Sequence, residues 1–128
     1  MAWQFNQREP VFLQIASRLR GDILRGEYDP EVQFPSVRQL AAEASVNPNT
    51  MQKALSHLED EGLLYTKGTV GRFVTADEKT LCASREKMRR EFARRAMEES
   101  LAVGMSADEL IKYIKKEAEE NERTGACL

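Results

Sequence analysis

From Pro10 onward the apolar residues fall at helical spacing. Phe12, Ile15, Ala16, Leu19 and Ile23 share one face, with Pro10 near the start and Gly26 near the end. Before them, Trp3 and Phe5 alternate with polar neighbours, which predicts a short extended arm whose rings cover core or a subunit contact. A polar stretch with Pro30 and Pro35 interrupts the helical pattern. Ser36 followed by Gln39 forms a capping box, and Val37, Leu40, Ala41 and Ala44 give a second, short stripe. After Ser45 and Val46, Asn47 predicts an N-cap with Pro48 in the first helical position. Met51, Ala54, Leu55 and Leu58 then repeat the stripe up to Gly62. Two short helices joined by so tight a connection predict a helix-turn-helix.

Beyond Gly62 the period changes. Residues 63–66 (LLYT) and 72–75 (RFVT) are β-prone runs separated by KGTVG, the pattern of a hairpin. Residues 77–103 contain neither Gly nor Pro, and Leu81, Met88, Phe92, Ala96 and Val103 lie roughly along one seam of a long charged helix. Gly104 ends it. Ser106 with Glu109 is another capping box, opening a helix whose face carries Leu110, Ile111, Ile114 and Ala118, and the segment from Asn121 is expected to fray. The expected fold is mainly α with a small β-hairpin. A winged helix-turn-helix over residues 1–76 is followed by a two-helix tail over 77–128. Two such helices bury little by themselves, so their seams must meet either the winged helix or the same helices of a second copy, and the second is the expectation.

Charge does not advertise a nucleic-acid partner. The chain has 19 Lys and Arg against 21 Asp and Glu, a net charge of −2. Residues 1–76 hold 8 cations against 9 acids, and the remainder 11 against 12, so neither half is basic. A DNA-binding surface would therefore need a few cations placed locally, with the acids directed elsewhere. Enzyme chemistry has little to work with: one histidine (His57), no acid/base pair and no phosphate loop. Cys82 and Cys127 are too few and too far apart for a disulfide framework or a zinc site, and are read as inert thiols. The first ten residues lack the apolar core of a signal peptide and no run is long enough to span a membrane, so a cytoplasmic location is expected. Neither cofactor nor metal is expected.

With the apolar stripe of the third helix inward, Asn49, Thr50, Gln52, Lys53 and Ser56 face outward. Asn and Gln match the adenine edge, Thr offers a hydroxyl and a methyl, and Lys reaches guanine or phosphate. The start of that helix, at Asn47 to Thr50, has free backbone N–H groups for a phosphate oxygen. Arg38 sits in the first turn of the preceding helix, where the dipole disfavours a cation unless it faces an external anion, and Ser36 could donate to the same phosphate. In the hairpin, Lys67 and Arg72 flank a glycine-rich tip. Glu59, Asp60 and Glu61 cluster at the far end of the third helix, the one that would enter the groove as a recognition helix. His57 is read as a solvent or packing residue, and Met51 and Met88 as core filler.

The segments PSVRQLA, VNPNT and LEDEGL, in that order and spacing, resemble the GntR family of bacterial transcription regulators, and the resemblance extends over residues 8–75. It implies binding of double-stranded operator DNA as a homodimer, commonly repression, and often release by a small-molecule effector, here of unidentified structure. It places DNA contacts on Arg38, Asn47, Asn49, Thr50 and Gln52, and on the wing near Lys67 and Gly68. Lys53 is added by helical geometry. Two departures stand out. The loop before Phe34 reads DPEVQ where the family has Pro-Gly, and the wing reads KGTVGRFV, with Arg72 in place of a small residue. The tail of about 50 residues is too short for the large effector domains of most members. It is similar to the two-helix tail of the YtrA subfamily, which builds the dimer and whose regulated genes often encode ABC transporters. A rival reading, favoured by the acidic pI of 5.6, is a winged helix that binds protein and never contacts DNA.

Overall fold

The two predicted capping boxes and the Asn47 cap are all present as hydrogen bonds. The computed structural model describes residues 3–124 of the 128, so Cys127 and the last four residues of the segment expected to fray lie outside the described residues. The elements run α1 (Val11–Leu24), α2 (Val37–Ala44), α3 (Pro48–Asp60), β1 (Leu64–Lys67), β2 (Gly71–Val74), α4 (Glu78–Ala102) and α5 (Ala107–Thr124). At the head of α2, Ser36 Oγ accepts from the Gln39 amide at 3.1 Å and the Gln39 side chain accepts from the Ser36 amide at 3.0 Å. The same reciprocal pair joins Ser106 and Glu109 before α5. Replacing Ser36 with alanine leaves donors of the first turn of α2 without a partner. Ser36→Ala is expected to lower unfolding stability by about 1 kcal/mol, read by urea denaturation.

α1 starts at Pro10, which offers no side-chain cap. Gln14 instead binds the arm before the helix: it accepts from the Asn6 amide at 3.0 Å and donates to the carbonyls of Asn6 and Glu9. This holds the extended arm against the helix, and Arg18 lies over the Trp3 ring at 4.1 Å. Trp3 and Phe5 are both half-buried.

The connection between α2 and α3 is tight because Ser45 takes the left-handed conformation (φ 57°). That geometry lets the Val46 amide reach the Ala41 carbonyl at 3.0 Å and the Ser45 amide the Ala42 carbonyl at 3.3 Å, which closes the helix end. A non-glycine residue there costs about 1–2 kcal/mol, and the following N-cap keeps the turn in place. Asn47 Oδ1 accepts from the Asn49 amide at 2.7 Å.

The chain divides into two units between Arg85 and Glu86. In the first, Ile15, Ala16, Leu19 and Ile23 of α1 meet Leu40, Ala41 and Ala44 of α2 and Met51, Ala54, Leu55 and Leu58 of α3, all buried. Each large side chain so buried stabilises the fold by roughly 1.5–3 kcal/mol. The hairpin closes this core with Leu64 opposite Val74, and its far end pairs Lys67 with Gly71. The segment before α2 joins it: the Phe34 amide donates to the Arg72 carbonyl at 2.8 Å. A helix-turn-helix followed by a two-stranded antiparallel hairpin is a winged helix, as the sequence predicts.

The division falls inside α4, beyond the boundary expected at Ala76. The first two turns of α4 explain the difference. Leu81 is only 7% exposed and Arg85 Nε donates to the Leu24 carbonyl at 3.2 Å, so this stretch packs on the first unit. Leu81, expected on the dimer seam, is a core residue of the single chain.

In the second unit the two helices turn at Gly104, where the Met105 amide reaches the Ser100 carbonyl at 2.8 Å. α5 continues to Thr124, past the point where fraying was expected. Phe92, Leu101, Val103, Ile111, Tyr113 and Ile114 are all at least half exposed. Met88, Ala96 and Leu110 are half-buried. Among the described residues, no helix is long and apolar enough to cross a membrane.

Candidate nucleic-acid interface

Burial of the Met51–Leu58 stripe turns the opposite side of α3 to solvent, and Asn49, Gln52, Lys53 and Ser56 are exposed there, with Thr50 half-buried. The side chains are not equally available. Asn47 uses its oxygen as the cap and keeps its amide N–H groups for an external acceptor. Gln52 donates to Ser56 Oγ at 3.3 Å, one turn on, which leaves its second N–H and its carbonyl oxygen for other partners. Lys53 leans to the flank of the helix, with its Nζ 4.4 Å from the centre of the Phe12 ring. His57 shares that flank, edge-on to Phe12 and 3.3 Å from Glu61, in the packing role expected of it.

Ser36 and Arg38 occupy the start of α2. The Ser36 oxygen accepts within the capping box, which leaves its proton to donate outward. Arg38 is exposed and has no salt bridge or hydrogen bond among the described residues. At the wing tip, the Val70 amide donates to the Lys67 carbonyl at 3.0 Å, and Gly68 at φ 52° makes this turn without a side chain. Lys67 is exposed, with its Nζ 5.8 Å from the Phe73 ring. A shallow cleft lined by Gln33, Pro35, Ser36, Thr66, Gly71 and Arg72 joins the start of α2 to the wing.

Arg72 has an ion-pair partner within the chain. Its guanidinium is bonded to Glu59 of α3, and its side chain is only 18% exposed. Thr66, across the hairpin from Arg72, donates to the other Glu59 oxygen at 3.3 Å. In this structure Arg72 therefore ties the wing to α3. Sequence reasoning missed Glu59 as its partner, although pairing of the two β-runs places Thr66 opposite Arg72 and so on one side of the wing.

The ion pairs take up part of the acidic charge of the first unit. Glu59 is held by Arg72, Glu61 by Arg20 (Nε 2.8 Å from Oε1), and Asp22 by Arg25. Two of the three acids at the end of α3 are thus neutralised, while Arg38, Lys53 and Lys67 have no acidic partner among the described residues. Tyr28, packed at a tilt of 48° against Phe34 with ring centres 4.5 Å apart, stays a neutral packing group. Burial, then the nearby Asp22, pushes its hydroxyl pKa up.

This is the architecture of a winged-helix DNA-binding domain. Comparison with known proteins makes the assignment specific: residues 12–74 match the gntR family of bacterial regulatory proteins. The chain is 31% identical over 108 residues to the transcriptional repressor YtrA of Bacillus subtilis, covering 84% of this chain and 83% of that protein. A GntR family transcriptional regulator from Listeria monocytogenes has the same fold with a TM-score of 0.79 at 27% identity, over 88% of this chain and 98% of the other. The AraR DNA-binding domain, solved in complex with operator ORE1, aligns at a TM-score of 0.51 and 25% identity over 59% of this chain and 93% of that domain. The protein belongs to the GntR family and is a transcriptional regulator with a DNA-binding domain; its relatives extend to YtrA-like regulators.

Proposed function

We propose that the protein is a homodimeric, cytoplasmic repressor that binds a two-fold-related operator through α3, the start of α2 and the wing. The observation that carries this reading is the placement of charge: acids at the end of α3 are consumed in ion pairs while Arg38, Lys53 and Lys67 are left without them. Arg38 and Ser36 hold a phosphate, and the N-terminus of α3 holds a second. Asn49, Thr50 and Gln52 meet base edges in the major groove, with Asn47 beside them. Lys53, on the flank by Phe12, meets the backbone, and Lys67 with Gly68 approaches the minor groove. Residues 1–76 suffice for these contacts and residues 77–128 make the dimer. Met88, Phe92, Ala96, Val103, Leu110, Ile111 and Ile114 form its interface, and Leu81 is left out because its own chain covers it. The AraR domain's capture on an operator, and the repressor activity of YtrA, support the same reading.

A gel shift with the upstream region of the protein's own operon tests it. The expected result is a saturable complex that resists competitor DNA. A protein partner retained after nuclease treatment, with no DNA complex, would favour the protein-binding alternative. Within the complex, Gln52→Ala is expected to relax preference at one base pair, losing ~1–3 kcal/mol of discrimination while other positions keep theirs. Competition with single-base variants of the site measures it.

A further inference from the structure

The wing is a two-stranded sheet, and a lone hairpin is marginally stable in water. Its base is anchored by Leu64 and Val74 and β2 is half-buried from Gly71 to Phe73, but Tyr65, Thr66 and Lys67 of β1 are exposed, so burial alone holds the tip weakly. One polar contact holds it further out. Glu59, in the last turn of α3, bonds Arg72 of β2 through one oxygen and accepts from Thr66 of β1 through the other, and it is itself only partly exposed. The Arg72 backbone carbonyl in turn accepts from the Phe34 amide at 2.8 Å, two residues before the cap of α2. The adjoining Gly71, at φ 134°, lies so close to the Gln33 side chain that a Cβ there would sit 2.5 Å from Nε2. The recognition helix, the wing and the lead-in to α2 therefore converge on this one pair.

We propose that Glu59 and Arg72 form a positioning pair that sets the wing at a fixed angle to the recognition helix, so that specific DNA binding depends on two side chains that do not touch DNA. The inference rests on the DNA-binding reading above. Loss of the pair leaves the cations in place but lets the wing swing, so contacts that require wing and helix together are lost, while contacts to phosphate anywhere on a duplex are kept. The competing role, Arg72 as a phosphate contact, has the opposite sign for its partner: removing the acid would free a cation and tighten binding.

The test uses the full-length chain and two duplexes. One is selected by the wild-type chain from a random pool, and the other is a scrambled duplex of the same length. Glu59→Ala keeps a strong helix former on α3. It is expected to weaken binding to the selected duplex roughly tenfold, the scale of one charge-assisted contact, and to leave binding to the scrambled duplex unchanged or stronger. Arg72→Ala is expected to do the same without changing the slope of log affinity against log salt. The exchange Glu59→Arg with Arg72→Glu rebuilds the pair and is expected to restore the selected-duplex affinity to within about twofold.

Glu59→Ala binding the selected duplex as tightly as wild type, or more tightly, overturns the proposal. An equal loss on both duplexes overturns it too. Should Glu59→Ala fail to fold, the exchange variant decides: folded and binding supports the pair, folded and not binding overturns it. A wild-type chain that enriches no duplex removes the DNA reading itself, a result distinct from wild-type binding that the Glu59 change leaves intact.

Discussion

Ile111→Glu combined with Ile114→Glu is expected to convert the protein to a monomer and to lower its affinity for a duplex with two half-sites by about 10²- to 10⁴-fold. Both side chains are half exposed in the single chain, in company with Phe92 at 73%, Leu101 at 61% and Val103 at 75%. Those exposed apolar side chains suit the dimer interface proposed for the tail, and a carboxylate forced into it would be desolvated without a partner. The affinity falls steeply because a second winged helix tethered to the first binds at a high effective concentration, and a monomer loses that advantage without losing a DNA contact. The winged-helix core of Ile15, Leu19, Leu40, Met51 and Leu55 is separate from these positions, so the variant should melt like wild type in that unit. Sedimentation equilibrium and duplex titration read the two effects. A variant that still sediments as a dimer would place the interface elsewhere.

Arg38→Ala is the other change with a large expected effect. It should weaken binding by roughly 10–100-fold, the loss of about 1.5–3 kcal/mol for a hydrogen bond to a charged group. The loss should be nearly the same for selected and scrambled duplexes, because a phosphate contact carries no sequence information. Titration at several salt concentrations should show the slope of log affinity against log salt reduced by about 0.9, one phosphate's worth. Arg38 is singled out among the cations because it lies in the first turn of α2, where the helix dipole disfavours positive charge, and no acid in the described structure compensates it. A loss confined to the selected duplex would make Arg38 a base reader.

The parts of the fold legible in the sequence are those set by neighbours along the chain. The Ser36–Gln39 and Ser106–Glu109 boxes, the Asn47 cap before Pro48, and the inward stripe of α3 all follow from spacings of four residues or fewer, and each is present. What escaped were contacts between distant segments. Periodicity marks Leu81 as apolar on a helix face but not what it meets, and the winged helix claims it before any second chain can. Arg72 beside a glycine-rich tip has the composition of a phosphate contact. Only the fold of the hairpin over α3 shows that Glu59, 13 positions earlier, takes its charge. The same limit applies to Gln14, whose grip on the arm depends on residues 6–9 folding back onto α1. Lys53 shows a subtler version. Helical geometry puts it outside the core, but the Phe12 ring draws it to the side of the helix.

A net charge of −2 together with a DNA partner is the combination that most needs a direct check. Selection of duplexes from a random pool by the full-length wild-type chain, followed by footprinting of the enriched sequence, provides it. The expected result is an inverted repeat with half-site centres ~34 Å or a multiple apart along the helix axis, each half protected equally. Enrichment of no sequence above the starting pool, or protection of a single unrepeated half-site, would contradict it.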